Sequence, residues 1–151
     1  IKTRQSAVQA VIKLARARGI ERPKVAFLSA TESAIPSVPS SMEAAELCDW
    51  AKNEITDADF SGPLALDLVL SPDAADIKGL DDDPVAGQAD CLVVPDIVSG
   101  NAIFKSLVYL SGGCAAGVVM GAKVPVLLTS RADPPAARLA SAALAAILTR
   151  M

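Results

Sequence analysis

The chain has 151 residues, a formal net charge of -3 and no histidine at all. A chain of this length makes one domain, or one and part of another, and buries roughly 70% of its extended surface. With 52% hydrophobic and only 3% aromatic residues, that core is built from Val, Ile, Leu and Ala. The acidic balance, with a pI near 4.9, gives no electrostatic footprint for nucleic acid. The absence of histidine removes His-based triads, histidine general bases and His-ligated metal from this chain.

Lys2, Arg4, Lys13, Arg16 and Arg18 are spread through the first segment instead of preceding an apolar stretch, and no apolar run approaches the length of a membrane span. A cytoplasmic protein with no membrane partner is expected. The first residue is Ile1 and not Met, which leaves open a cut-out or a processed product. Cys48, Cys91 and Cys114 are odd in number and far apart, so they are expected to be reduced, buried thiols.

Taken in order, Val8, Val11, Ile12 and Leu14 give a first helix its apolar side, and Gly19 marks its end. Lys24 to Ser29 reads as a buried strand running into the hydroxyls of Ser29, Thr31 and Ser33. Ala34 to Ser41, rich in proline and serine, suits a loop, and Ser41 is expected to cap a helix from Met42 to about Ile55. Asp59 to Leu70 holds Gly62-Pro63-Leu64-Ala65-Leu66-Asp67, whose propensities do not choose between strand and helix. Asp73 to Leu80 reads as a short helix. The acidic run Asp81-Asp82-Asp83 is expected to be a solvated loop without metal, since no further ligands are spaced to complete an oxygen cage.

Ala89 to Val94 gives the next strand, ending in Pro95-Asp96. Ser99-Gly100-Asn101 then leads into a helix of about Ala102 to Leu110, with Lys105 near its first turn. Ala115 to Met120 and Val124 to Leu128 read as two further buried strands punctuated by glycines. Pro135 to Met151 closes the chain as a helix with apolar residues nearly all round, which calls for burial against this domain, another domain or another subunit. Strands alternating with helices define an α/β fold with a largely parallel sheet and flanking helices.

The stretch Val124 to Pro135 carries the sharpest chemistry. An apolar strand stops at Thr129, Ser130 and Arg131, and Asp133-Pro134 reads as the N-cap and first residue of the last helix. Hydroxyls, a guanidinium and helix amides at a strand's carboxyl end make a receptor for phosphate or carboxylate. An ordinary capped loop with a surface arginine is the commoner origin of such residues.

In combination these motifs become specific. Phe60 to Asp67, FSGPLALD, and then Val85 to Asp133, with Pro95-Asp96, Gly100-Asn101, Lys105 and Thr129-Ser130-Arg131, closely resemble the C-terminal half of the phosphate acetyltransferase and phosphate butyryltransferase family. The resemblance implies acyl transfer between coenzyme A and inorganic phosphate, with coenzyme A as a substrate and no resident cofactor or metal. It implies a two-domain fold like the isocitrate and isopropylmalate dehydrogenases, an active site in the interdomain cleft, and a homodimer. On that pattern residues 1–120 form the second domain, and 121–151 return to a first domain whose N-terminal part is absent.

Carried over by position, Ser130 and Arg131 match the family's Ser-Arg pair at the reaction centre, with Asp133 as the adjacent carboxylate. Ser29, Thr31, Asn101, Lys105 and Thr129 match substrate-lining positions. The chain departs from the acetyltransferase pattern where that branch has an aspartate further into the last helix: Ala136 and Ala137 stand there. Two other classes stay open, a catalytically silent acyl-CoA-sensing domain like the regulatory tail of some malic enzymes, and a dehydrogenase of the shared fold. For the latter the chain offers no convincing set of metal carboxylates.

Overall fold

In the first helix, Val8, Ile12 and Ala15 recur at helical spacing and are buried, so one stripe faces the core. This computed structural model describes residues 2–150. Helix α1 (Lys2–Ala17) ends where Gly19 takes a φ of 92° and the Ile20 amide closes back on the Ala15 carbonyl at 3.1 Å, a turn that favours glycine. Strand β1 (Lys24–Leu28) and α2 (Pro39–Glu54) follow, then β2 (Asp59–Leu64), α3 (Leu66–Leu70), α4 (Pro72–Ile77), β3 (Cys91–Val93), α5 (Ile97–Tyr109) and α6 (Pro135–Leu148). The chain divides into two units, residues 1–97 and 98–151.

The first unit is built on a three-stranded parallel sheet of order β2-β1-β3. Alternation along β1 sends Val25 and Phe27 to one face, where they join Val8, Ile12, Leu47, Ala51 and Phe60 from α1, α2 and β2. Ala26 faces the other way, into a second cluster with Leu64, Leu68, Val69, Ala75 and Val85. Helices therefore cover both faces of a sheet that reads as continuous apolar runs. The undecided Asp59 to Leu70 stretch resolves into both states, strand up to Leu64 and a short helix from Leu66.

Pairing of β1 with β2 slips by one residue between Ala26 and Leu28, which face Ser61 and Leu64. The extra residue lies at Gly62-Pro63, whose peptide is cis, and a Cβ on Gly62 would stand 2.7 Å from the Phe27 Cβ. Glycine is required there by close approach. Beyond the bulge, the Ser29 amide donates to the Leu64 carbonyl at 2.8 Å, which fixes the end of β1.

Several expectations need correction. Ser41 does not cap α2: the N-cap is Val38, Pro39 takes the first position, and Ser41 is fully buried within the first turn. Its Oγ accepts from the Ile35 amide at 2.9 Å and donates to the Val38 carbonyl at 2.8 Å, stitching the preceding loop to the helix. Helix α5 begins at Ile97, five residues before the expected Ala102, which places Lys105 in its third turn.

The second unit departs most. Residues 115–120 and 124–128 are not buried parallel strands; they share a single antiparallel bridge, Val119 with Val126, closed by bonds of 2.8 and 3.3 Å. Val124, Val126, Leu127 and Leu128 are exposed. An isolated pair among glycines lacks the neighbouring strands that would extend a ladder. Helix α6 buries Ala137, Ser141 and Leu148 while Leu139 and Ile147 stay exposed. Cys114 is exposed, against expectation, because it lies in the irregular stretch after α5; Cys48 and Cys91 are buried. Burial pushes both of those thiols up to about 11.

Candidate functional site

In the first unit, functional groups gather at the carboxyl ends of β1 and β2. Ser29 is buried, with its Oγ 3.1 Å from the Ser40 Oγ at the start of α2. Thr31 is half-buried, and its hydroxyl oxygen accepts from the Ser33 amide at 3.3 Å in a local turn. Beside them the Lys78 ammonium lies 2.7 Å from Glu32 and 3.4 Å from Asp67, the last residue of the Gly62–Asp67 motif. The Lys78 hydrogen bond holds the Glu32 carboxyl below its usual value, and Glu32 in turn raises Lys78. Across the sheet, Arg4 on α1 pairs with Glu43 of α2 at 2.7 Å and donates to the Pro95 carbonyl just after β3. That guanidinium edges a small cleft lined by Leu28, Leu47, Val93 and Pro95.

The acidic run is not uniformly solvated. Asp81 and Asp82 are exposed, but Asp83 is half-buried. Its Oδ1 accepts from the Val85 and Ala86 amides, both at 2.8 Å, and its Oδ2 from the Ser61 hydroxyl at 2.6 Å. Among the described residues no group of three or more His, Cys, Asp or Glu side chains is arranged to hold a metal ion.

In the second unit, Asn101 and Lys105 stand one turn apart on α5 and so share a face. The Lys105 ammonium lies 5.0 Å from the Phe104 ring centroid and 5.8 Å from that of Tyr109, within cation–π range. Thr129 leads into a turn formed by Ser130, Arg131, Ala132 and Asp133. The Ser130 amide donates to Asp133 Oδ2 at 2.7 Å, and the Asp133 amide donates to the Ser130 carbonyl at 3.1 Å. Ser130 Oγ accepts from the Ala132 amide at 3.3 Å, so its own proton is left to donate elsewhere.

Arg131 is exposed, and among the described residues no carboxylate pairs with it. Asp133 therefore ties the turn and does not cap the helix: α6 starts at Pro135 with Pro134 as N-cap and no side-chain cap bond. Two prolines in succession supply no N–H groups, so the helix contributes fewer amides to an anion than the sequence pattern promised. The donors in this turn are the Arg131 guanidinium and the Ser130 hydroxyl.

The structure thus brings Ser29 and Thr31 together in one unit, and Thr129, Ser130, Arg131 and Asp133 together in the other, with Asn101 and Lys105 on one helix face. Ser40, Arg4 and the Glu32–Lys78–Asp67 network escaped the sequence reading. Ser40 alone carried a signal, its place in a serine-rich segment before a helix. The long-range ion pairs had none.

A parallel sheet covered by helices on both faces, with hydroxyl-bearing residues following its first strand, defines an α/β protein. A family model described as phosphate acetyl/butaryl transferase matches residues 4–146, and the chain belongs to that family. It is 47% identical over 148 residues to a phosphate acetyltransferase of Rhizobium meliloti, covering 97% of this chain and 46% of that protein. It is 42% identical over 138 residues to a phosphate butyryltransferase of Clostridium acetobutylicum, covering 91% and 46% respectively. A solved branched-chain phosphotransacylase from Enterococcus faecalis V583 superposes with a TM-score of 0.88 at 37% identity, covering 97% of this chain and 52% of the other. The chain spans about half the length of these relatives.

Proposed function

We propose that this chain takes part in transferring an acyl group between coenzyme A and inorganic phosphate. The observation that carries this is the Ser130–Asp133 turn, in which Asp133 fixes the backbone while the Arg131 guanidinium and the Ser130 proton remain available. Starting from an acyl phosphate, the coenzyme A sulfur forms a C–S bond with the carbonyl carbon. The tetrahedral adduct collapses, the C–O bond to phosphate breaks, and phosphate leaves with the electron pair. The thiol, with a pKa of about 8.5 by analogy with cysteine, gives its proton to a carboxylate or to the departing phosphate.

Arg131 neutralises the phosphate and the Ser130 hydroxyl donates to the oxyanion, tasks that need preorganised donors and no histidine. Asp133 holds Ser130 and is the carboxylate beside the pair that is available to accept the proton. Ser29, Thr31, Asn101, Lys105 and Thr129 bind the substrates. We further place the protein in the cytoplasm, as a homodimer, with residues 1–120 as the second domain of the acyltransferase fold and 121–151 returning to the first. The free thiols and the exposed apolar side chains after residue 97 support the first two of these.

A second reading, a silent acyl-CoA-sensing domain, draws on Ala136 and Ala137, since no carboxylate stands there in α6. One assay separates the two: thioester formation from coenzyme A and acetyl or butyryl phosphate, for wild type, Arg131→Ala and Arg131→Lys. We expect wild-type turnover, a loss of about 10²-fold to 10³-fold in Arg131→Ala, and partial recovery in Arg131→Lys, which keeps charge but not the bidentate fork. Melting points should stay together, because truncating an exposed arginine leaves no cavity. Acyl-CoA binding without turnover by wild type favours the sensor, and more than half the wild-type rate in Arg131→Ala refutes the role of the arginine.

A further inference from the structure

The connection from β1 to α2 carries Ser29 and Thr31, and its two ends are held differently from its middle. At one end the Ser29 amide is bonded to Leu64, and its hydroxyl meets Ser40. At the other, Ser41 clasps Ile35 and Val38. Between them, residues 30–34 have one polar tie to the rest of the described residues, the Glu32 carboxylate accepting from Lys78 Nζ at 2.7 Å. The base of Lys78 is itself fixed: it is the C-cap of α4, where its amide bonds the Ala74 carbonyl. The same ammonium reaches Asp67 at 3.4 Å, so it sits among acidic groups from both strand ends.

We propose that Lys78 is a positioning residue, which through Glu32 holds the arc 30–34 and the Thr31 hydroxyl in the conformation that receives substrate; this rests on the acyl-transfer reading above. The side chains of the pair are 41% and 35% exposed, so the bond adds little to global stability. What it fixes is a short arc. A loop that is competent only part of the time lowers apparent affinity by that fraction, without changing the rate once substrate is bound. A competent fraction falling to between one third and one tenth would raise KM about threefold to tenfold.

The test compares Lys78→Met, Glu32→Gln, Lys78→Arg and Asp67→Asn in the full chain. The readouts are KM and kcat for acyl phosphate, hydrogen exchange of the Ser33 amide, which bonds the Thr31 hydroxyl oxygen within the arc, and melting temperature. Lys78→Met and Glu32→Gln should raise KM by that factor with kcat within about twofold, speed exchange of the Ser33 amide and melt like wild type. Lys78→Arg should restore most of the affinity. Asp67→Asn should change little, because its contact with the ammonium is the longer one. Unchanged KM, a loss confined to kcat, or unchanged exchange in Lys78→Met overturns the proposal. If wild type shows no turnover, the acyl-transfer reading fails by itself, while exchange still decides the arc: faster exchange upholds the tether and unchanged exchange refutes it.

Discussion

Asp83 shows how one side chain of an acidic run can differ from its neighbours. Its carboxylate accepts from two amides two and three residues ahead and from the Ser61 hydroxyl in β2, joining the turn before Val85 to the sheet. Charge-assisted bonds of this kind are worth about 1.5 to 3 kcal/mol, and their loss leaves two amides and a buried serine to find other partners. Asp83→Ala should therefore lower stability by about 2 to 3 kcal/mol, whereas Asp82→Ala, at an exposed position, should stay within about 0.5 kcal/mol of wild type. Urea midpoints of the two variants check this, and equal midpoints would remove the distinction. Nothing in the order Asp-Asp-Asp-Pro tells which carboxylate turns inward. That depends on Ser61, 22 residues earlier in the chain.

At the scale of elements, the packed helices and the first strand were legible because their apolar spacing and their terminators agree: Val8, Ile12 and Ala15 before Gly19, and Val25 to Leu28 before a polar turn. The segment around Gly62 was not, since Gly-Pro-Leu-Ala-Leu-Asp has no clear period. Its strand character comes from pairing with β1, and the bulge there depends on an absent side chain. Gly62→Ala places a methyl 2.7 Å from the Phe27 Cβ and 3.0 Å from its carbonyl oxygen. Overpacking of this sort typically costs about 1 to 3 kcal/mol. We expect a lower melting temperature, and an unchanged one would mean that β1 and β2 can separate freely at this point.

Across the whole molecule, apolar surface is unevenly covered. In residues 2–97 most large apolar side chains are buried or half-buried, and Ile35, Met42, Leu70, Ile77 and Ile97 are exposed. After residue 97, Leu110, Val124, Leu128 and Leu139 are all at least 65% exposed. Where such side chains adjoin, they offer apolar surface for a partner to cover. The 151-residue chain should therefore self-associate at micromolar concentrations, or bind a hydrophobic dye strongly, as sedimentation and dye fluorescence would register. A monomer at all concentrations with no dye binding would refute this. The sequence had flagged the closing helix as apolar on several sides, but exposure at Leu139 and Ile147 appears only once the helix is placed.

By itself the sequence determined the α/β class, the parallel character of the sheet, the family, and the residue types at the strand ends, because these depend on local periodicity and on short contiguous motifs. It could also place Ser130, Arg131 and Asp133 side by side, since they are neighbours in the chain. Only the tertiary structure decided what those neighbours do. Asp133 ties the Ser130 amide and leaves α6 to start behind two prolines, Lys78 spans 46 residues to reach Glu32, and the apolar runs at 115–120 and 124–128 meet in one bridge without forming buried strands. The physical reason is common to all three. A carboxylate, an ammonium or an apolar run has several satisfactory partners in principle, and which one it takes is set by what the rest of the fold brings within 3 to 4 Å.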